Sequence, residues 1–215
     1  LDVKLDFEDK KNHQIYSYLK IAKGIGAKIE KVDFKINPDF SINEKILKNP
    51  NFLFIGISPF ASIKEKEWEV SKFITLINEI SKTNKKVVFL FFGAPDEKQK
   101  INELIIKKLN NEVKTYNFAG DYNLNKTCGL ISACQIFIAN NSGLAHLASA
   151  LGVKVLCISG HSNVVMNAPF GEKNVVIKKD YSCIPCNSRK LKKCRNLRCI
   201  KDITVDEVLE KILEK

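Results

Sequence analysis

The segment that decides the fold is QIFIANNSGLAHLASALGVKVLCISG, residues 135–160. Its first apolar run, QIFIA, ends in two amides, a hydroxyl and a glycine (residues 140–143). A short helical pattern of small and apolar residues follows, and then a second apolar run, KVLCISG. Continuous apolar strands joined by a helix are typical of a parallel sheet that is covered on both faces. The segment therefore predicts a strand–helix–strand unit of an α/β fold.

The same alternation continues through most of the chain. Strands are predicted at NFLFIGIS (51–58), KVVFLFFG (86–93) and VKTYNFAG (113–120), and helices at 68–82, 96–109, 124–134 and 142–151. Thr204 and Glu207 have the spacing of a capping box, which predicts a closing helix at 204–215. Together these patterns predict a Rossmann-like, doubly wound parallel sheet formed by residues 46–215. Residues 1–45 have one helical pattern followed by charged, extended sequence, and we interpret them as the remnant of a preceding domain and a linker.

The composition narrows the class of protein. The chain has 215 residues, 45% of them hydrophobic, and a net charge of +11. No apolar stretch approaches the roughly 20 residues that a membrane-spanning helix needs, and the first residues do not form a signal peptide. Lysine is scattered over the whole length, and only residues 173–201 concentrate basic charge. A basic chain can bind nucleic acid, lipid headgroups or acidic small molecules, and charge alone does not choose between them.

The polar residues after QIFIA predict an anion-binding site. In an open parallel sheet, ligands bind beyond the carboxyl ends of the strands, against helix N-termini. Amides of the first helical turn have no intrahelical partner, Gly143 allows close approach of a ligand, and Ser142 can cap the helix or donate a hydrogen bond. His146 follows about one turn later, within reach of the same anion. Such a junction suits phosphate or pyrophosphate, although an isolated Asn-Ser-Gly is more often only a turn and a cap.

The longer stretch FIANNSGLAHLASALGVKVLCISG (137–160) resembles the nucleotide-sugar site of glycosyltransferase family 9, the bacterial heptosyltransferases of lipopolysaccharide core synthesis. Three other segments resemble family motifs in the same order: ISPFASIKEKEW (57–68), FFGAPDEKQK (91–100) and FAGDYNLNKTCGLISAC (118–134). The resemblance covers roughly residues 51–215 and, more weakly, the linker at 13–45. It implies the C-terminal, donor-binding half of a GT-B glycosyltransferase that inverts configuration, with the catalytic base in an N-terminal domain. The implied donor is a nucleotide sugar, by default ADP-heptose, and the acceptor a lipid-linked oligosaccharide; no cofactor is required.

The resemblance also implies roles for individual residues. Lys66 and His146 correspond to catalytic positions, where Lys66 would neutralise the phosphates of the departing nucleotide. Glu97 would accept hydrogen bonds from the ribose. The remaining implied donor-binding residues are Ser58, Asn141, Ser142, Gly143 and Leu144. Outside this family context, Lys66 and Glu97 would read as solvated surface charges and His146 as a structural histidine.

Three positions depart from the family pattern. Asn141 stands where the family usually has Asp, Phe60 replaces a glycine, and SGHSN (159–163) replaces Gly-Pro-Thr. Asn can bond sugar hydroxyls but cannot offset a developing positive charge. Heptose is therefore a default for the sugar, and a degenerate, non-catalytic homologue is one alternative.

Four of the seven cysteines form a separate pattern near the C-terminus. Cys183, Cys186, Cys194 and Cys199 have the spacing C-x2-C-x7-C-x4-C, which suits a tetrahedral structural zinc site but leaves disulfides or free thiols open. A four-cysteine zinc module that binds nucleic acid is the second alternative. Under the favoured reading nucleic acid is not a partner, the protein is cytoplasmic, and the basic residues around the cysteines suggest peripheral contact with the inner membrane.

Overall fold

A computed structural model describes residues 12–28, 32, 34, 36–41, 49 and 51–213. Parts of the predicted remnant and linker, residues 1–11, 29–31, 33, 35 and 42–45, lie outside these ranges, and the predicted boundary at residue 46 stays a prediction. Six strands in the described residues form one parallel sheet. They are β1 (Leu53–Ser58), β2 (Val87–Phe91), β3 (Lys114–Asn117), β4 (Ile136–Asn140), β5 (Lys154–Ile158) and β6 (Val175–Ile177). The predicted fold class is confirmed.

The helices alternate with the strands, as the sequence patterns indicate. They are α1 (Gln14–Gly24), α2 (Val70–Thr83), α3 (Glu97–Leu104), α4 (Leu124–Ser132), α5 (Gly143–Ala150), α6 (Val164–Asn167), α7 (Ser188–Lys193), α8 (Arg198–Lys201) and α9 (Val205–Leu213). The helix predicted at 96–109 is divided, because α3 ends at Leu104 and a separate 3₁₀ turn follows at Ile106–Lys108. Strand β6 and the short helices α6, α7 and α8 were not predicted, since each is too short to give a periodic pattern.

The strand order β3-β2-β1-β4-β5-β6 determines where a ligand can bind. The chain winds outward from β1 in one direction and from β4 in the other, so the order reverses between these two central strands. A crevice opens at such a switch point, beyond the carboxyl ends of the strands. Ser58 at the end of β1 pairs in register with Ala139. Asn140 and the residues after it therefore lie at the edge of this crevice.

The sheet separates two hydrophobic cores. One face carries side chains of β1, β2 and β4 that pack with Phe73 of α2 and Val208 of α9. The other face packs with Leu130 of α4 and with Ala145 and Ala148 of α5. The small residues of α5 let its backbone lie close to β4 and β5, so the first turn of this helix is held against the sheet edge.

The glycine in the middle of β1 is required by the packing of β4. A Cβ atom built on Gly56 would lie 2.3 Å from Cδ2 of Phe137. This distance is far shorter than van der Waals contact. Any side chain at position 56 would therefore displace a fully buried ring of the neighbouring strand.

The two terminal helices are attached in different ways. The capping box before α9 is formed: the Thr204 amide donates to Oε2 of Glu207 at 2.8 Å, and the Glu207 amide donates to Oγ1 of Thr204 at 3.2 Å. Helix α1 has no buried residue. It is joined to the body by His13, whose Nδ1 accepts from the Ile15 amide at 3.2 Å while Nε2 lies 2.8 Å from the Ala168 carbonyl oxygen.

Candidate functional site

A cavity of about 1110 Å³ lies at the carboxyl edge of the sheet, over the switch point between β1 and β4. We call it the larger cavity. Its lining comes from the β1–α2 loop (residues 59–68), from the start of α3 and from the start of α5. Five of the predicted donor-binding residues line it: Ser58, Glu97, Ser142, Gly143 and Leu144.

One wall of the larger cavity is the backbone at the start of α5. Ser142 is the N-cap residue of this helix and has an extended backbone. The amides of Gly143 and Leu144 belong to the first turn, where N–H groups have no intrahelical acceptor. A Cβ atom added to Gly143 would meet nothing within 4 Å. The wall therefore offers N–H donors and a positive helix terminus to open space, which suits an anion.

The hydroxyl of Ser142 does not make the helix-capping bond that its position would allow. Its Oγ is buried and has no hydrogen-bond partner among the residues that the structure describes. A buried hydroxyl without a partner is costly. An acceptor oxygen of a bound anion would supply the missing hydrogen bond.

The opposite wall is formed by charged side chains. Lys64 and Glu67 of the β1–α2 loop line the larger cavity together with Glu97 and Lys100 of α3. Each carboxylate is tethered to its own loop, because Oε1 of Glu67 accepts from the Ala61 amide at 3.1 Å and Oε2 of Glu97 accepts from the Ala94 amide at 2.9 Å. Desolvation, and next to it the charge of Glu97, raises the pKa of Glu67. These side chains present acceptors for hydroxyl groups and cations for phosphate.

Lys66 and His146 lie beside the larger cavity and do not line it. Lys66 is half-buried, and its charge contributes to the lowered pKa of His146 and of His161. Lys66 thus lies near the carboxyl ends of β4 and β5. His146 is exposed on α5 and lines a smaller cavity of about 390 Å³ that it shares with His13 and Phe170. Desolvation, followed by the charges of His13 and Lys66, lowers the pKa of His146, so its ring is neutral at pH 7.

Asn141 faces the sheet edge. Its side chain is buried, its backbone amide donates to the Ile158 carbonyl at 3.1 Å, and its Nδ2 lies 3.4 Å from Oγ of Ser159. It does not line the larger cavity. Asn141, which stands where the family usually has Asp, therefore contacts the end of β5 and does not face the larger cavity.

Sequence reasoning missed His161. This residue follows β5 at the same edge of the sheet and is buried, and its Nδ1 has no hydrogen-bond partner among the described residues. Desolvation is the main cause of its lowered pKa, the charge of Lys66 adds to it, and Glu65 acts in the opposite direction through its charge and its backbone. The polar run SGHSN directly after an apolar strand is the signal that could have found it, as NNSG was found after β4.

The cysteine segment (residues 183–199) does not support the predicted zinc site. All four thiols are free; Cys183 and Cys194 are exposed, whereas Cys199 is buried in α8. Burial, and then the neighbouring thiols of the segment, raises the pKa of Cys199. Within the described residues, no three His, Cys, Asp or Glu side chains are arranged to hold a metal ion. Short sequence spacing did not bring the sulfur atoms into a common coordination geometry.

Among the described residues, every helix is too short or too polar to cross a bilayer.

The fold is a Rossmann-like parallel α/β fold with a cavity at the switch point of its sheet, and comparison with known proteins identifies the family. The family model for glycosyltransferase family 9 (heptosyltransferase) matches residues 4–196. The chain belongs to this family, and the resemblance drawn from its motifs is confirmed.

Individual relatives agree with this assignment. The chain is 29% identical over 210 residues to lipooligosaccharide heptosyltransferase 2 of Campylobacter jejuni serotype O:6, covering 94% of this chain and 64% of that protein. It is 31% identical over 127 residues to lipopolysaccharide heptosyltransferase 2 of Escherichia coli K12, covering 58% of this chain and 36% of the relative. The chain thus spans less than two thirds of the length of these relatives.

Solved structures share the fold at low sequence identity. The glycosyltransferase family 9 protein of Veillonella parvula superposes with a TM-score of 0.80 at 17% identity, covering 98% of this chain and 61% of that one. The E. coli ADP-heptose lipopolysaccharide heptosyltransferase II superposes with a TM-score of 0.71 at 21% identity, covering 98% and 64%.

Proposed function

We propose that this chain is the donor-binding portion of an inverting glycosyltransferase that transfers a sugar, by default heptose from ADP-heptose, onto the lipopolysaccharide core. The observation that carries the proposal is the pairing of open first-turn amides at Gly143 and Leu144 with a charged wall across one cavity. Relatives of the chain are lipopolysaccharide and lipooligosaccharide heptosyltransferases. An E. coli heptosyltransferase structure that shares the fold, with a TM-score of 0.68, contains ADP.

In the proposed reaction, a hydroxyl of the acceptor attacks the anomeric carbon of the donor sugar. The bond from that carbon to the diphosphate oxygen breaks, and the configuration inverts. The base that takes the hydroxyl proton lies, by family resemblance, outside this chain. Negative charge grows on the leaving diphosphate, so donors already aimed at the phosphates stabilise the transition state more than the ground state.

The residues of this chain divide that work between them. The first-turn amides donate to the phosphates, and the unpartnered hydroxyl of Ser142 gains an acceptor there. Lys66 adds positive charge next to the strand ends. Glu97 keeps one oxygen on the Ala94 amide and offers the other to ribose hydroxyls. His146 is neutral at pH 7 and can therefore donate or accept one hydrogen bond without adding charge.

The test is calorimetric titration of the 215-residue chain with ADP, GDP and UDP at fixed salt. We expect ADP to bind with the highest affinity and a single-stranded oligonucleotide to bind weakly, with an affinity that falls steeply with salt. Failure of all three nucleoside diphosphates to bind would contradict the proposal. Tight, salt-resistant binding of the oligonucleotide would instead favour the nucleic-acid hypothesis.

The proposal extends to the acceptor and to the membrane. A lipid-linked oligosaccharide would be presented at the cytoplasmic face of the inner membrane, and the basic helix α7 carries Lys190, Lys192 and Lys193. Part of the neighbouring basic charge is paired, since Lys179 contacts Glu207 at 2.5 Å and Arg198 contacts Asp202 at 3.2 Å. Sedimentation with anionic and with neutral vesicles measures whether the basic residues of this region bind lipid headgroups. We expect binding to anionic vesicles alone, and loss of that binding at high salt.

A further inference from the structure

One buried side chain joins both ends of the loop that forms the charged wall of the larger cavity. Asn140, the last residue of β4, is fully buried. Its Oδ1 accepts from the Trp68 amide at 2.9 Å, and its Nδ2 donates to the Pro59 carbonyl at 2.7 Å. Pro59 begins the β1–α2 loop and Trp68 ends it. Because a backbone amide only donates and a carbonyl only accepts, these two partners determine the orientation of the Asn140 amide.

The β1–α2 loop has little regular structure of its own. It contains one 3₁₀ turn, Lys64–Lys66, whose N-cap residue Ile63 makes no side-chain capping bond. Inside the loop, Phe60 packs into the core and the Ala61 amide donates to Glu67, and further contacts hold the two ends of the loop. At the exit, the indole of Trp68 donates to the Ile203 carbonyl at 2.9 Å, and its ring lies 5.0 Å from that of Phe73. At the entry, the bond from Asn140 to Pro59 is the contact that ties the loop to β4.

Asn140 also directly precedes the backbone wall at the start of α5. Asn141 and Ser142 follow it in the chain, and the first turn of α5 begins with Gly143. Asn140 therefore connects the β1–α2 loop directly to the residues that begin the first turn of α5.

We propose that Asn140 is a positioning residue: it holds the β1–α2 loop, and with it Lys66, at the distance from the first-turn amides at which one diphosphate contacts both walls. The inference rests on the proposed function, because it names what aligns that donor site. Asn140 itself touches no substrate. It acts through the loop, and both of its hydrogen-bonding groups are used.

The chemistry of the amide supplies a specific test. In Asn140→Asp the ionised carboxylate can still accept from the Trp68 amide, but its second oxygen faces the Pro59 carbonyl, and two acceptors repel. Burial raises the pKa of a carboxyl group. Once protonated, the carboxyl has one donor and one acceptor and restores the pattern of the amide. The leucine of Asn140→Leu has a volume similar to that of asparagine but cannot make these hydrogen bonds at any pH.

The first measurement is ADP affinity by calorimetry on the 215-residue chain from pH 5.5 to pH 8, expressed as the ratio to the wild type at each pH. We expect Asn140→Asp to bind about tenfold more weakly at pH 8, with the gap closing as the pH falls, because a buried hydrogen bond is lost and then regained. Asn140→Leu should stay weaker throughout. Taking the ratio removes the titration of ADP and of His146, which both proteins share.

The second measurement needs no ligand. Trp68 is the sole tryptophan of the chain, so its emission reports on the loop. We expect emission that changes with pH in Asn140→Asp, a red shift at every pH in Asn140→Leu, and faster hydrogen exchange of the Trp68 amide in the Leu variant. Recovery of Asn140→Asp on acidification shows that this variant is folded.

A matched control is available elsewhere in the fold. Nδ2 of Asn174 donates to Oγ of Ser149 at 2.7 Å and to the Pro169 carbonyl at 3.2 Å, and its Oδ1 accepts from the Val155 amide at 3.2 Å. It thus also bridges backbone groups, but away from the larger cavity. We expect Asn174→Asp to leave the Trp68 emission and the ratio of ADP affinities independent of pH.

The outcomes separate the two proposals. If the wild type binds ADP and both Asn140 variants bind it equally well at pH 8, the positioning role is wrong and the proposed function stands. If the wild type does not bind ADP but the emission of Asn140→Asp depends on pH, the proposed function fails and the loop attachment stands. If emission and exchange match the wild type in both variants, the positioning role is overturned whatever ADP does.

Discussion

The two walls of the larger cavity are built in different ways. The wall at the start of α5 uses backbone amides that are held directly by β4 and by the packing of α5 on the sheet. The wall at the β1–α2 loop uses side-chain charge, and the loop is held by residues distant in sequence, Asn140 and Ile203. At the start of α5, the residues that would contact a donor are held by their own helix and by the strand next to it. On the β1–α2 loop, the residues that would contact a donor are held by other residues that lie far away in the sequence.

Blocking the backbone wall at the start of α5 should have the largest effect on ADP affinity. Gly143→Phe places a ring where a Cβ atom already points into open space. We expect ADP affinity to fall about a hundredfold, equivalent to about 2.7 kcal/mol, with an unchanged melting temperature. Gly143→Ala should cost far less, because a methyl group leaves most of the space open. Equal affinities of the Phe variant and the wild type in calorimetry would exclude the first-turn amides as the anion site.

The next largest effect on ADP affinity is expected in the β1–α2 loop, where the two lysines of the 3₁₀ turn Lys64–Lys66 can be compared. We expect Lys66→Met to weaken ADP binding about tenfold to fiftyfold, within the range of a charge-assisted hydrogen bond, and Lys64→Met to weaken it about threefold at most. The reason is that Lys66, although it does not line the larger cavity, is half-buried near the ends of β4 and β5, whereas Lys64 lines the cavity but is exposed to solvent. The reverse order of affinities would put the phosphates on the side of Lys64 and Lys100.

The contrast between the walls also explains what could be read from the sequence. Strands β1, β2, β4 and β5 are continuous apolar runs, and the polar residues that end β4 point to Ser142 and Gly143 from local pattern alone. The attachment of the second wall has no local signal, since the partners of Asn140 are 72 and 81 residues away. Glu67 and Lys100 were missed because a charged residue near a binding site looks like any surface charge until the loops are placed.

The cysteine segment marks a second limit of sequence reasoning. The spacing of Cys183, Cys186, Cys194 and Cys199 fits several states of the thiols, and only the path of the backbone decides between them. Here Cys199 belongs to α8 and its sulfur packs near Gly160, 3.3 Å from where a Cβ would lie. Cys199 therefore contributes to the packing of α8 on the loop that follows β5, a role that the cysteine spacing did not indicate.

A smaller effect, on the rate of sugar transfer, is expected from a change at Asn141. Asn141→Asp, made in a longer form that includes the N-terminal domain implied by the family resemblance, introduces the family's usual residue. Asn141 does not line the larger cavity, and within the described residues its side chain makes one hydrogen bond, of 3.4 Å. We therefore expect transfer rates within about threefold of the wild type. An inactive wild type that gains transfer activity through this change would support the degenerate-homologue hypothesis.

The smallest effect concerns stability and pH. Because burial lowers the pKa of His161, the unfolded chain binds a proton near pH 6.5 that the folded chain does not. The free energy of unfolding should therefore fall as the pH decreases below about 6.5, with a slope from this residue of at most about 1.4 kcal/mol per pH unit. Urea unfolding between pH 5 and pH 7.5 measures it. We expect His161→Gln to have a shallower slope, and an identical slope would rule out His161 as its source.

The bond between the Trp68 indole and the Ile203 carbonyl has a consequence for folding during synthesis. Ile203 follows all six strands of the described residues, so the ribosome can release these strands before this partner emerges. A nascent chain can thus assemble its sheet while the β1–α2 loop still lacks its anchor. A ribosome-bound chain arrested once residue 177, but not residue 203, has left the exit tunnel would therefore have a complete sheet and a β1–α2 loop that is still unattached at its exit.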